Sequence, residues 1–113
     1  MTDTTAFLQN GATAAITANS SAPTAVQIPP NFTASTPPRN QYRVVNVGSV
    51  TAFLGAGATA AIAGTNAAAV TTTGNAMPIV AGAVEVFSFP PTWYFTATAA
   101  SATTIYITPG EGL

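Results

Sequence analysis

The chain of 113 residues contains no histidine, no cysteine and no lysine. Five side chains carry a charge at neutral pH: Asp3, Arg39, Arg43, Glu85 and Glu111. General acid–base catalysis, metal coordination and phosphate binding draw mainly on these scarce residue types. We therefore expect no catalytic residues, no metal site and no cofactor, and we interpret the protein as a non-enzyme. Disulfide bonds and thiolate zinc sites are excluded by the lack of cysteine.

The low charge also constrains the surface. Soluble domains commonly carry charges on about 25–35% of their surface, whereas charged residues make up 4% of this chain. Its surface must consist of Thr, Ser, Asn and backbone, or be covered by other molecules, and we expect the second: a part of an assembly. Two arginines at a net charge of −1 also argue against nucleic-acid binding, which strengthens with each phosphate neutralised.

No membrane span or signal peptide is expected. The charge-free stretch from Val44 to Val84 is long enough to cross a bilayer. However, it is filled with Gly, Thr, Asn and Ala, and Pro78 interrupts it. The N-terminal residues include neither a basic region nor a long apolar run.

Short β-branched and aromatic runs, separated by Gly and Pro, predict strands. Apart from the repeat described below, the predicted strands are Thr24–Ile28, Tyr42–Val47, Val50–Leu54, Ala68–Thr73, Met77–Val80, Ala83–Phe89, Trp93–Thr98 and Thr103–Thr108. Their even spacing, with no amphipathic helical stripe, predicts an all-β fold: an antiparallel β-sandwich or small jelly-roll-like barrel of about eight to ten strands.

The length suits one domain, residues 1–113. Within it we distinguish an N-terminal segment, 1–12, and a Pro-rich loop, 29–41, which contains four prolines. This loop is a plausible extended arm of partly polyproline II character. Phe32 and Arg39 on it are candidate interface residues, because such an arm can reach a neighbouring subunit.

A repeated block is the strongest internal pattern. Residues 5–16 and 51–62 are identical at 10 of 12 positions. Each copy predicts a hairpin with a glycine-containing turn. Gly55–Ala60 in the second copy also matches a dinucleotide-binding fingerprint, but no acidic residue follows about twenty positions later. We therefore interpret these glycines as a hairpin turn.

The charged residues suggest two possible pairs. Glu85 and Glu111 could form a glycosidase carboxylate pair, but the chain has no His or Lys to tune them. We interpret them as a strand carboxylate and a terminal-loop carboxylate. Arg43 and Glu85 fall in the two best strands, and we predict an ion pair between them that helps to define strand register.

Three aromatic residues follow one another at Trp93, Tyr94 and Phe95. Neighbours on a strand point to opposite faces, so Trp93 and Phe95 share one face and Tyr94 lies on the other. One set is expected to fill the core. The other is a candidate interface anchor, because aromatic residues carry much binding energy; Trp93 and Tyr94 are therefore interface candidates.

Three stretches resemble small virion proteins of tailed bacteriophages and prophages. They are YRVVNVGSVTAF at 42–53, MPIVAGAVEVF at 77–87 and IYITPGEG at 105–112. The resemblance covers about residues 41–113 and includes no chemical motif. It implies a capsid decoration (cement) protein or another minor structural protein, present in many copies on a symmetric shell.

The implied partners are further copies of the chain, the major capsid protein or other virion proteins, without nucleic acid or membrane. A homotrimer on the three-fold positions of the shell is the expected arrangement. The protein would be made in the host cytoplasm and reside on the capsid surface of the virion. Two alternatives stay open: a head or tail fibre or connector subunit, and a carbohydrate- or host-surface-binding module using an exposed Trp93 or Tyr94.

Overall fold

Two antiparallel sheets face each other across a shared core, which confirms the predicted β-sandwich. The computed structural model describes residues 8–9, 11–29, 41–67 and 75–111. Within them the elements are β1 (Leu8–Gln9), β2 (Ala14–Ala18), β3 (Val26–Gln27), β4 (Gln41–Asn46), β5 (Ala52–Gly57), α1 (Ala60–Asn66), β6 (Met77–Ile79), β7 (Val84–Ser88), β8 (Tyr94–Ala99) and β9 (Thr103–Glu111).

The strand order is that of a jelly roll. In the first sheet β1 and β2 both pair with β9, which is followed by β4 and β7. The second sheet has the order β3-β8-β5-β6. From β2 to β5 and again from β6 to β9 the chain alternates between the sheets, as in the double Greek key of this architecture.

Strands β3 to β9 each overlap a predicted run. The predicted strand at 68–73 lies outside the described residues, as do 1–7 of the N-terminal segment and 30–40 of the Pro-rich loop. Proline falls where a missing N–H is tolerated: Pro78 lies on the edge strand β6, opposite Phe53 of β5.

The core lies between the sheets and is built mainly from alternate residues of β2, β4, β5, β8 and β9. In β4, for example, Tyr42, Val44 and Asn46 are buried, whereas Arg43 is exposed. The apolar core consists of Ile16, Ala18, Ile28, Tyr42, Val44, Ala52, Leu54, Ala56, Ile79, Phe95, Ala97, Ala99, Ile105 and Ile107. Because many of these residues are small, much of the bulk comes from one aromatic cluster around Tyr42 and Phe95, whose rings lie 4.9 Å apart.

The first copy of the repeat does not form the predicted hairpin. Its two strands, β1 and β2, lie along the same edge of β9. The pairing shifts by two residues between Gln9↔Gly110 and Ala14↔Ile107, so β1 and β2 follow the same edge of β9 in two different registers. The Thr13 hydroxyl lies 2.7 Å from the Thr108 hydroxyl and thus hydrogen-bonds across to β9.

The hairpin prediction is also wrong for the second copy, where strand β5 leads into helix α1. Thr59 caps the helix, since its Oγ1 accepts a hydrogen bond from the Ile62 backbone N–H at 3.1 Å. The last three residues of the shared sequence GATAAI are therefore strand in one copy, at 14–16, and helix in the other, at 60–62. Ile16 is buried in the core, whereas Ile62 is 46% exposed.

The fingerprint glycines lie under helix α1 and not in a turn. Gly55 and Gly57 belong to β5, and a Cβ on Gly55 would lie 2.4 Å from the Ala63 carbonyl oxygen. Glycine thus allows the helix to pack directly on the strand. The sheet is antiparallel, so this is not the parallel strand–helix unit that dinucleotide binding requires.

Candidate functional site: the outer face of the first sheet

The two sheets differ in what covers their outer sides. On the second sheet, α1 lies over β5, and the Thr98 hydroxyl donates to the Ala67 carbonyl just after the helix. The Thr96 hydroxyl donates to the Pro23 carbonyl at 2.7 Å, so the chain between β2 and β3 also packs there. The protein therefore covers this side with its own residues.

The outer side of the first sheet has no such cover among the described residues. We call it the outer face and define it by side chains that share one side of the sheet: Thr13, Ala15, Thr17, Arg43, Val45, Val84, Val86, Thr104, Tyr106 and Thr108. Strand register places them in rows, because directly opposed residues point to the same side.

The central row of the outer face is apolar across four strands. Ala15 opposes Tyr106, Tyr106 opposes Val45, and Val45 opposes Val84. Tyr106 is 41% exposed and Val84 is 50% exposed. A continuous apolar row in contact with solvent is typical of an interaction surface.

Threonine pairs flank this row, and their hydroxyls hydrogen-bond to each other. Thr13 and Thr108 are linked at 2.7 Å between hydroxyl oxygens, and Thr17 and Thr104 at 3.5 Å. Hydroxyls engaged in this way compete less strongly for water, which reduces the cost of covering the face.

Arg43 is the one charged residue of the outer face. The predicted ion pair with Glu85 is not formed. Although β4 and β7 are adjacent as expected, Arg43 opposes Val86 and Glu85 opposes Val44, so the two side chains point to opposite sides of the sheet.

Glu85 instead lies on the core-facing side of the edge strand β7, where it is exposed. An inward-pointing charge on an edge strand hinders pairing with the edge of another sheet. The role of the Glu85 carboxylate is therefore to hinder edge-to-edge pairing and not to form the predicted ion pair.

The predicted aromatic alternation is present around β8. Phe95 is buried, and Trp93 is half-buried against the core with its ring stacked on Phe89 at 5.8 Å. Tyr94 is half-buried on the other side, between Gln27 and Gly57 on the neighbouring strands. Their proposed role as interface anchors stays a prediction. Phe32 and Arg39 lie outside the described residues.

Tyr42 has a buried hydroxyl with no hydrogen-bond partner among the described residues. Burial raises the pKa of this phenol, because the charged form is disfavoured away from water. An unpaired buried hydroxyl costs about 1–3 kcal/mol, so the Tyr42 hydroxyl offsets part of the stability that its buried ring contributes.

Tyr42→Phe should therefore raise the free energy of unfolding at pH 7 by about 1 kcal/mol. In the wild type, the contribution of Tyr42 to stability should not change with pH below about pH 10, where Tyr42 is neutral in both states. It should fall above that pH, because only the unfolded chain ionises freely. Urea denaturation of both proteins at pH 7 and 11 measures this. A less stable Phe variant at pH 7 would contradict the prediction.

Asn46 is a buried residue that the sequence reasoning did not single out. Its Nδ2 donates to the carbonyls of Val50 and Ile79, both at 2.8 Å. Its Oδ1 accepts from the Gly48 N–H at 3.0 Å and from the Thr103 hydroxyl at 2.9 Å. The available signal was an asparagine, which strands disfavour, inside a β-branched run.

A cavity of about 320 Å³ lies between the start of β2 and the end of β3. It is lined by Ala12, Thr13, Ala14, Gln27, Ile28 and Pro29. No charged side chain is among these described lining residues.

Among the described residues, no three potential metal-ligating side chains are grouped together, and no helix is both long and apolar enough to cross a membrane. Comparison of the chain with protein-family models, curated proteins and solved structures finds no match. The resemblance to phage virion proteins therefore stays a prediction from sequence.

Proposed function

We propose that this chain is a non-enzymatic structural subunit of a virus particle, attached to the head of a tailed phage as a decoration protein. The observation that carries the proposal is a sheet face that no other described residue covers, with an apolar central row and a single charge, on a chain with few charges elsewhere. Such a surface suits contact with other subunits more than contact with water.

The jelly-roll topology is compatible with this function but does not establish it. Viral capsid domains use this architecture, and so do lectins and cupins. Function depends on the site and not on the fold. For the carbohydrate-binding alternative, Trp93 does not lie flat on a sandwich face, because its ring stacks on Phe89 and packs against the core.

The test is the copy number of the protein in purified particles of the source phage or prophage, measured by quantitative mass spectrometry. A decoration protein should be present in numbers on the order of hundreds, as repetition on a symmetric shell requires. About a dozen copies or fewer would indicate a connector or tail component. Absence from the particle would overturn the proposal as a whole.

A further inference from the structure

We infer that the outer face of the first sheet is the surface that docks on the shell, against a flat apolar protein surface that offers a carboxylate to Arg43. This inference rests on the proposed function and specifies which side of the domain makes the contact. The surface that contacts the outer face belongs to a shell subunit and not to a second copy of this chain.

Size argues against a stable dimer formed through this face alone. Four strands about 4.8 Å apart, each contributing about five residues at 3.3 Å, cover roughly 300 Å² in plan. Stable protein pairs usually bury about 800 Å² on each side. The face fits a contact that is reinforced by others in an assembly, since linked weak contacts bind much more tightly together.

Charge argues in the same direction. Arg43 projects from the outer face beside Thr108 and Val86, and covering it without an opposite charge would be costly. A second copy docked face to face would present another Arg43, while Glu85 points to the other side of the sheet. None of the residues that define the outer face is acidic, so a copy docked face to face cannot supply the carboxylate.

Tyr106 is a diagonal neighbour of Arg43 on the face and is suited to anchor the contact. It stands in the middle of the apolar row, between Ala15 and Val45, and is 41% exposed. Tyrosine and arginine are enriched among the residues that dominate binding energy at interfaces.

The inference is tested by co-sedimentation of the full chain with particles that lack it. Arg43→Glu and Tyr106→Ser should each weaken binding at least tenfold, whereas Arg43→Lys should retain part of it. Glu85→Gln, an exposed change on the opposite side of the same sheet, is the matched control and should bind as the wild type does. Circular dichroism and melting temperature establish that each variant is folded.

The outcomes separate the inference from the proposed function. If the wild-type chain does not bind the particles, the decoration function fails. If it binds, and folded Arg43→Glu and Tyr106→Ser bind equally well, the docking face is wrong while the function stands. If the wild type forms a dimer without particles and Tyr106→Ser abolishes it, the occupant is a second copy and the inference is overturned.

Discussion

Asn46→Asp should destabilise the domain by about 3 kcal/mol or more, which is the largest effect expected from a near-isosteric change. The amide uses both of its donors and both acceptor positions on four separate groups. An aspartate would place a carboxylate oxygen against the carbonyls of Val50 and Ile79 and leave both without a donor. Burying an unpaired charge and leaving two carbonyl acceptors without donors costs about this much free energy.

The position of Asn46 explains why loss of its hydrogen bonds should affect the whole sandwich. Asn46 ends β4 in the first sheet, and Ile79 belongs to β6 in the second. The same side chain also holds the turn at Gly48 and the start of β9 through Thr103. One amide therefore joins both sheets and the crossover between them.

Thr103 provides the control for this network. Thr103→Ser keeps the hydroxyl that donates to Asn46 Oδ1, and should cost much less than Thr103→Val, which removes it. Thermal and urea denaturation of the three variants would measure the order. An Asn46→Asp protein as stable as the wild type at pH 7 would contradict the account of the buried amide.

Strand positions could be predicted from the sequence because each strand obeys local rules. Ala83–Phe89, for example, combines strict alternation with Pro90 and Pro91 as a stop, and β7 occupies Val84–Ser88 within it. The same alternation assigned Glu85 to the side opposite Val84 and Val86. The alternation did not reveal which residue of β4 each residue of β7 opposes. That register places Arg43 opposite Val86, so Arg43 and Glu85 point to opposite sides of the sheet.

The repeat shows the limit of local rules. The same sequence, GATAAI, ends in an edge strand beside β9 in the first copy and in the first turn of α1 in the second. Thr13 bonds to a neighbouring strand, whereas Thr59 caps the helix. Alanine and threonine allow both states, so tertiary partners decide between them. The outer face was likewise invisible in the sequence, because its central row joins residues from four strands.

Gly55→Ala should be the second most damaging small change, lowering the free energy of unfolding by about 3 kcal/mol. A Cβ at this position would lie 2.3 Å from the Ala67 backbone nitrogen and 2.4 Å from the Ala63 carbonyl oxygen. Both are backbone atoms near the end of α1, so a rotamer change cannot relieve the clash. The helix must move away from β5, and the hydrogen bond from Thr98 to Ala67 is then strained or lost.

Gly64→Ala is the matched control, since it makes the same chemical change within the helix itself. Nothing lies within 4 Å of a Cβ at Gly64, and alanine is favoured over glycine in helices by about 1 kcal/mol. This variant should therefore be slightly more stable than the wild type. If the two alanine variants shifted the melting temperature alike, close packing of α1 on β5 would not explain Gly55. Opposite shifts would mean that the glycine at position 55 provides space for the helix. Its resemblance to a dinucleotide-binding fingerprint would then reflect this packing and not ligand binding.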